Sequence, residues 1–298
     1  MTNLIVTNFE TYLLESGRAD RTVAAYTRDL ARFITWSEAD YEQGFSLAMF
    51  NRSDLRDYQA YCRSERKFQA ATWNRSVASL SVFAAWLKDT GQMDYDPTNA
   101  MTRAEAQKLA PKSLCKPDYK KLRLTVAENV RTAKTATARC WALRDAAVVA
   151  CLWQAGMREG EVVRLRICDV RLGDRRGDIS VINSKGNKDR DIPLGIESVR
   201  AIKDWLAVRP DGGESLFVGK FREALQERGI QKIVGQLSKE AGIEHVAPHQ
   251  LRHTISRSMM QQGASLNEVA AFLGHSSIEV TRRYTLPHYE DLQRMVEA

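Results

Sequence analysis

The sequence predicts a mainly α-helical protein of two domains, with a small β-hairpin or sheet in the second. Three observations carry this. Apolar residues recur at helical spacing along much of the 298 residues, a proline-marked polar stretch interrupts them after residue 105, and one island between Gly177 and Gly195 alternates instead. The length also exceeds the usual size of a single core, which favours two domains.

The first helix signal is RTVAAYTRDLARFITW, where Val23, Tyr26, Leu30 and Phe33 are spaced three, four and three apart on one face. In NRSDLRDYQAYCRS, Ser53 or Asp54 is the expected cap of a helix burying Leu55, Tyr58 and Cys62. A longer stretch runs from Trp73 through Val77, Leu80, Phe83 and Leu87, with Gly91 as its stop. These form a small helical bundle over residues 1–105. Pro97, Pro111 and Pro117 then mark a basic, weakly periodic segment, read as a linker over residues 106–117. In the second domain, residues 118–298, Ile179 and Val181 alternate before a basic turn through Lys185, Gly186, Asn187 and Lys188, and Ile192 and Leu194 alternate after it. No internal repeat or low-complexity tract is evident.

Composition narrows the function classes. Hydrophobic residues are 44% and charged residues 27%, as in ordinary folded domains rather than disordered chains. The longest apolar run, Ala146 to Trp153, is far short of a membrane span, so no membrane partner is expected. The first residues lack a basic leader followed by an apolar stretch, and the expected location is the cytoplasm. Five cysteines (Cys62, Cys115, Cys140, Cys151, Cys168) without Cys-x-x-Cys spacing exclude a regular disulfide framework and the common zinc modules. The net charge of +7 suits a polyanion partner. Residues 1–105 hold 12 Lys and Arg against 14 Asp and Glu, so the basic excess lies in the second domain. All five histidines also fall there, from His245 onward.

Four fragments could carry chemistry. In PHQLRHTIS, Pro248 opens a helix whose first turn presents His249 and Arg252 three apart, a suitable grip for phosphate or an ordinary surface pair. His249 and His253 suggest a metal pair, but no nearby Glu or Cys completes it, and no metal is expected. In LGHSSIEVTRRYT, Gly274 precedes His275, and Tyr284 follows beside Arg282 and Arg283; its hydroxyl needs cations or a base to act as a nucleophile, and otherwise it is a packing aromatic. Tyr289 is a rival on the same tail. In AGMREGEVVRLRICDV, Arg158 starts a helix whose apolar face is expected to hold Val162, Val163 and Leu165. An arginine at a helix start opposes the dipole, so it either meets an anionic ligand or forms an exposed ion pair with Glu161. Lys185, at the hairpin tip, would touch backbone phosphate or nothing, or act as a proton donor if inserted into a desolvated site.

Together, Arg158, Lys185, His249, Arg252, His275 and Tyr284 stand in the order of the active site of the tyrosine recombinase (phage integrase) family. HQLRH, the LGH box, the nine-residue step to the tyrosine and NSKGNKDRDIPL each resemble the family's motifs, and the helical first half resembles its core-binding domain. The resemblance, with an Xer-like layout, spans nearly the whole chain. It implies a SAM-like helical domain and a catalytic domain closing on duplex DNA as a C-shaped clamp. Arg158 and Arg252 would then hold the scissile phosphate, His249 and His275 would add hydrogen bonds, Lys185 would protonate the departing 5′ oxygen, and Tyr284 would form a covalent 3′-phosphotyrosine. Glu161 would orient Arg158, while Arg75, Lys188, Arg282 and Arg283 would touch DNA. No cofactor is needed, because the energy of the broken bond is kept in the ester. The resemblance also implies a tetrameric synaptic complex on two DNA sites, a Holliday junction, and a C-terminal tail with Leu292, Met295 and Val296 docked on a neighbouring subunit. Three other readings stay open from the residues alone: a type IB topoisomerase, a metal-dependent transposase or nuclease using Asp169, Asp174 and Asp191, and a non-catalytic DNA-binding factor.

Overall fold

Asn51 caps the third helix of the structure, a computed structural model, with its side-chain oxygen accepting the backbone N–H groups of Ser53 and Asp54 at 2.9 and 3.1 Å. Ser53 and Asp54 were the expected caps; they are instead the donors that the cap satisfies, because the helix starts earlier, at Arg52. The structure describes residues 2–41, 44–105, 112–182, 189–274 and 281. The chain divides into two units, Met1–Gln107 and Lys108–Ala298.

In the first unit, α1 (Thr2–Glu15), α2 (Asp20–Tyr41), α3 (Arg52–Ser64) and α4 (Ala70–Asp89) enclose one core. Val23, Leu30 and Phe33 of α2 are buried, as their spacing requires, together with Leu55, Tyr58 and Cys62 of α3 and Trp73, Val77, Leu80, Phe83 and Leu87 of α4. Aromatic edges lock these faces: Phe33 meets Tyr58 at 5.2 Å and Phe50 meets Phe83 at 5.0 Å, both edge to face. Just past the end of α4, Gly91 takes φ +67°, the left-handed conformation that closes a helix.

The second unit holds α5 (Lys116–Thr132), α6 (Ala136–Trp153), α7 (Glu159–Val162), β1 (Val170–Leu172), β2 (Gly177–Val181), β3 (Arg190–Leu194), α8 (Ile196–Leu206), α9 (Glu227–Glu240), α10 (Pro248–Gln261) and α11 (Leu266–Leu273). Pro117 lies in the first turn of α5, where its missing N–H costs no helical bond. Helix α6 is buried without a break from Ala147 to Trp153, so the longest apolar run of the chain is the central column of this core. The strands form an antiparallel sheet in the order β1-β2-β3, with Ile179 opposite Ile192 and Val181 opposite Arg190. Ile179, Val181, Ile192 and Leu194 face the core as their alternation predicts. Strand β1 has only three residues, too short for alternation to announce it. The basic tip at Lys185 and Lys188 lies outside the described residues, as do His275, Arg282, Arg283, Tyr284, Tyr289 and the tail.

Candidate active site

Arg158 stands at the N-cap of α7, in extended conformation, and its backbone N–H donates to Oε2 of Glu161 at 2.8 Å. Its Nη1 donates to Oε1 of the same carboxylate at 2.9 Å. The expected longer helix is reduced to one turn. Beyond Val162 the backbone turns to strand-like pairing, with Leu216 N–H donating to the Leu165 carbonyl and Ile167 N–H to that of Glu214, both at 2.8 Å. Leu165 is still buried, while Val163 is half-buried.

The pair of Arg158 and Glu161 is not the exposed one. The Glu161 side chain is 2% exposed and that of Arg158 34%. A buried carboxylate needs compensation, and Arg190 of β3 supplies it, with Nη1 and Nη2 each 3.0 Å from one oxygen. Arg252 adds a third guanidinium, its Nη1 3.8 Å from Oε2. Burial alone would push the Glu161 carboxyl up; the hydrogen bonds from Arg190 and the Arg158 backbone, with the charges of both arginines, outweigh it and hold the group below its ordinary value.

Arg252 lies in the first turns of α10 and is 2% exposed. Its Nη1 donates to the carbonyl of Gly156 and its Nη2 to that of Leu273 at 2.7 Å. The second carbonyl ends α11, so the cation sits at the negative end of that helix. Gly274 follows as the left-handed cap at φ +65°, and its carbonyl accepts from Nη2 of Arg158 at 3.4 Å. Arg252 and Arg158 thus reach the carbonyls of Leu273 and Gly274, the two residues immediately before His275.

Glycine is required at two of these joints. A Cβ on Gly274 would lie 2.7 to 2.8 Å from Nη1, Cδ and Cζ of Arg190. Gly156, at φ +60°, would meet Leu273 Cδ2 at 3.0 Å and Phe272 Cε1 at 3.1 Å.

Of the sequence-derived candidates, the structure gathers Arg158, Glu161 and Arg252 at one carboxylate. His249 sits three residues before Arg252 in the first turn of α10 and is exposed. Lys185, His275 and Tyr284 lie outside the described residues, as do Lys188, Arg282 and Arg283. Arg75, in the other unit, forks the fully buried Asp29 through Nε at 2.8 Å and Nη2 at 3.0 Å. Arg32 shares that carboxylate at 3.1 Å. Sequence reasoning missed Arg190, although the signal was present: the alternation that turns Ile192 and Leu194 inward turns residue 190 inward as well.

The chain matches the model of the phage integrase family over residues 123–291 and that of the phage integrase N-terminal SAM-like domain over residues 6–91. It is 31% identical over 294 residues to tyrosine recombinase XerD of Listeria monocytogenes serotype 4b, covering 96% of this chain and 94% of the relative. Tyrosine recombinase XerC of Corynebacterium glutamicum is 30% identical over 287 residues, covering 95% and 85%. Among solved structures, XerH site-specific recombinase bound to its difH substrate before cleavage superposes with a TM-score of 0.70 at 21% identity, over 92% of this chain and 78% of that one.

Proposed function

The chain belongs to the phage integrase family and is a site-specific tyrosine recombinase, an enzyme that cleaves and rejoins DNA; on that premise we propose that Arg158, Lys185, His249, Arg252, His275 and Tyr284 are its catalytic residues. The observation that carries this reading is the meeting of Arg158 and Arg252, 94 residues apart in sequence, on the one buried carboxylate of Glu161.

In-line attack on a phosphodiester builds negative charge on the non-bridging oxygens and on the departing 5′ oxygen. Fixed guanidinium groups answer the first charge without reorganising, and losing one such donor typically costs about 10²–10³ in rate. The carbonyls of Gly156 and Leu273 orient Arg252, as Glu161 does Arg158. The Tyr284 oxygen attacks phosphorus as its proton passes to a base, for which His249 is the candidate. The bond to the 5′ oxygen breaks while Lys185 gives that oxygen a proton, a contribution of about 10²–10⁴. The product is a 3′-phosphotyrosine ester and a free 5′ hydroxyl. Attack by a 5′ hydroxyl from a second duplex reverses the step and joins the new strand. Because the ester retains the bond energy, no nucleotide cofactor is consumed.

Strand exchange needs two DNA sites, so four copies of the chain act together through a Holliday junction, with the C-terminal tail of each docked on a neighbour. Lys188, Arg282 and Arg283 join the phosphate contacts of the catalytic unit, while Arg75 does so for the first unit through the part of its side chain, 37% exposed, that Asp29 leaves outward. The reading is tested by trapping the covalent complex on duplexes selected from a random-sequence pool by their capture on the chain. Tyr284→Phe is expected to bind the selected duplex and form no adduct. An adduct at undiminished yield would show that another residue is the nucleophile. Relaxation of a supercoiled plasmid without exchange between two sites would indicate topoisomerase action instead.

A further inference from the structure

Resting on the assignment of Arg158 to the scissile phosphate, we propose that Arg190 is a positioning residue for Arg158, one that keeps its guanidinium fork available for the phosphate by occupying both oxygens of Glu161. A carboxylate offers about four acceptor positions. On Glu161, two are taken by Nη1 and Nη2 of Arg190 at 3.0 Å, one by the Arg158 backbone N–H at 2.8 Å, and one by Nη1 of Arg158 at 2.9 Å. Arg158 therefore cannot close its fork on the glutamate. On the glutamate it is held by Nη1 alone, while Nη2 reaches only the Gly274 carbonyl at 3.4 Å, and its side chain stays 34% exposed while those of Arg190 and Glu161 are 10% and 2%.

Arginine three residues before glutamate is a spacing that readily forms a two-pronged pair. Without Arg190, the vacated oxygens would draw Arg158 into that pair and away from solvent. Arg190 also underlies the turn at Gly274, where its Nη1, Cδ and Cζ lie within 2.7 to 2.8 Å of the position a Cβ would take. The same guanidinium so spans the glutamate and the turn whose carbonyl receives Nη2 of Arg158. Three cations on one buried anion leave excess positive charge at this point, which suits a phosphorus centre gaining negative charge.

The test compares single-turnover adduct formation on two forms of a duplex selected by covalent capture on the wild-type chain: one with a natural scissile phosphate, one with a methylphosphonate there. Replacing a non-bridging oxygen by methyl removes the charge that Arg158 answers. For Arg190→Lys, which keeps the charge but cannot fork both oxygens, and for Arg190→Met, the rate on the natural duplex is expected to fall by about 10–10²-fold, the usual cost of a misplaced group. On the methylphosphonate the loss should be several times smaller, and Arg190→Lys should unfold at nearly the wild-type urea concentration. Equal losses on both duplexes would reduce Arg190 to a packing role and overturn the proposal, as would wild-type rates for Arg190→Lys. A wild-type chain that forms no adduct on any selected duplex would instead overturn the catalytic assignment beneath it.

Discussion

The guanidinium of Arg252 donates through Nη2 to the carbonyl of Leu273 at 2.7 Å, tying the first turns of α10 to the last residue of α11. Because Nη1 of the same group donates to the carbonyl of Gly156, one side chain fixes three separate stretches of chain at the entrance to the segment that carries His275. Arg252 is therefore a joint as well as a member of the charge cluster, and its variants should register in stability and chemistry together.

Arg252→Lys should show both. Lysine cannot reach two diverging carbonyls with a planar fork, so one buried acceptor loses its partner at about 1–3 kcal/mol. Urea unfolding is expected to shift by that amount, and single-turnover adduct formation to fall by about 10²–10³. A variant of wild-type rate would show that Arg252 serves the fold alone.

Gly274→Ala and Gly91→Ala separate backbone strain from crowding. Both glycines have φ near +65°, at +65° and +67°, but a Cβ meets nothing within 4 Å at Gly91 and meets Arg190 at Gly274. The first substitution of the pair should cost more than the about 1–2 kcal/mol of left-handed strain and should depress activity; the second should cost that strain and leave the rate unchanged. Chemical denaturation with parallel adduct assays decides it.

Glu161 sets an acid limb. Its folded-state pKa is lowered, so it stabilises the native state fully above the ordinary glutamate value of 4.5 and loses that contribution as pH falls through the lower native value. Glu161→Gln should flatten the fall of stability with acid in this range. At neutral pH it should cost about 3–5 kcal/mol, since buried arginines lose their counter-charge. An unaltered acid profile would mean that other carboxylates govern it.

Arg75→Met tests the first unit. Asp29 is fully buried and, among the described residues, keeps only Arg32 as an ion-pair partner when Arg75 is removed. With Arg75 itself 37% exposed, the loss is discounted to about 1–2 kcal/mol. Melting of the variant should drop accordingly, and binding of the selected duplex should weaken with a smaller salt dependence. Unchanged binding would restrict Arg75 to its pair with Asp29.

Much of this was legible before folding. The buried faces of α2, α3 and α4, the inward sides of β2 and β3, and the start of α10 at Pro248 all follow from periodicity and proline chemistry, which act over a few residues. The ordered set of Arg158, Lys185, His249, Arg252, His275 and Tyr284 likewise pointed to the family that the comparisons establish. The cap at Asn51 was misassigned by two or three residues, because Asn, Ser and Asp within one turn are equivalent until the backbone chooses its start. The single turn of α7 was overextended, because pairing with residues 214–216 ends it and that pairing is remote in sequence.

The order of residues along the chain dictates which chemical groups are present and which local helices and strands bear them. Tertiary structure alone decided that Glu161 is buried, that Arg190 joins it and that the carbonyls of Gly156 and Leu273 take Arg252. Hydrogen bonding and charge pairing act over a few ångströms in space, and residues 21 to 96 positions apart come within that range only when the core closes.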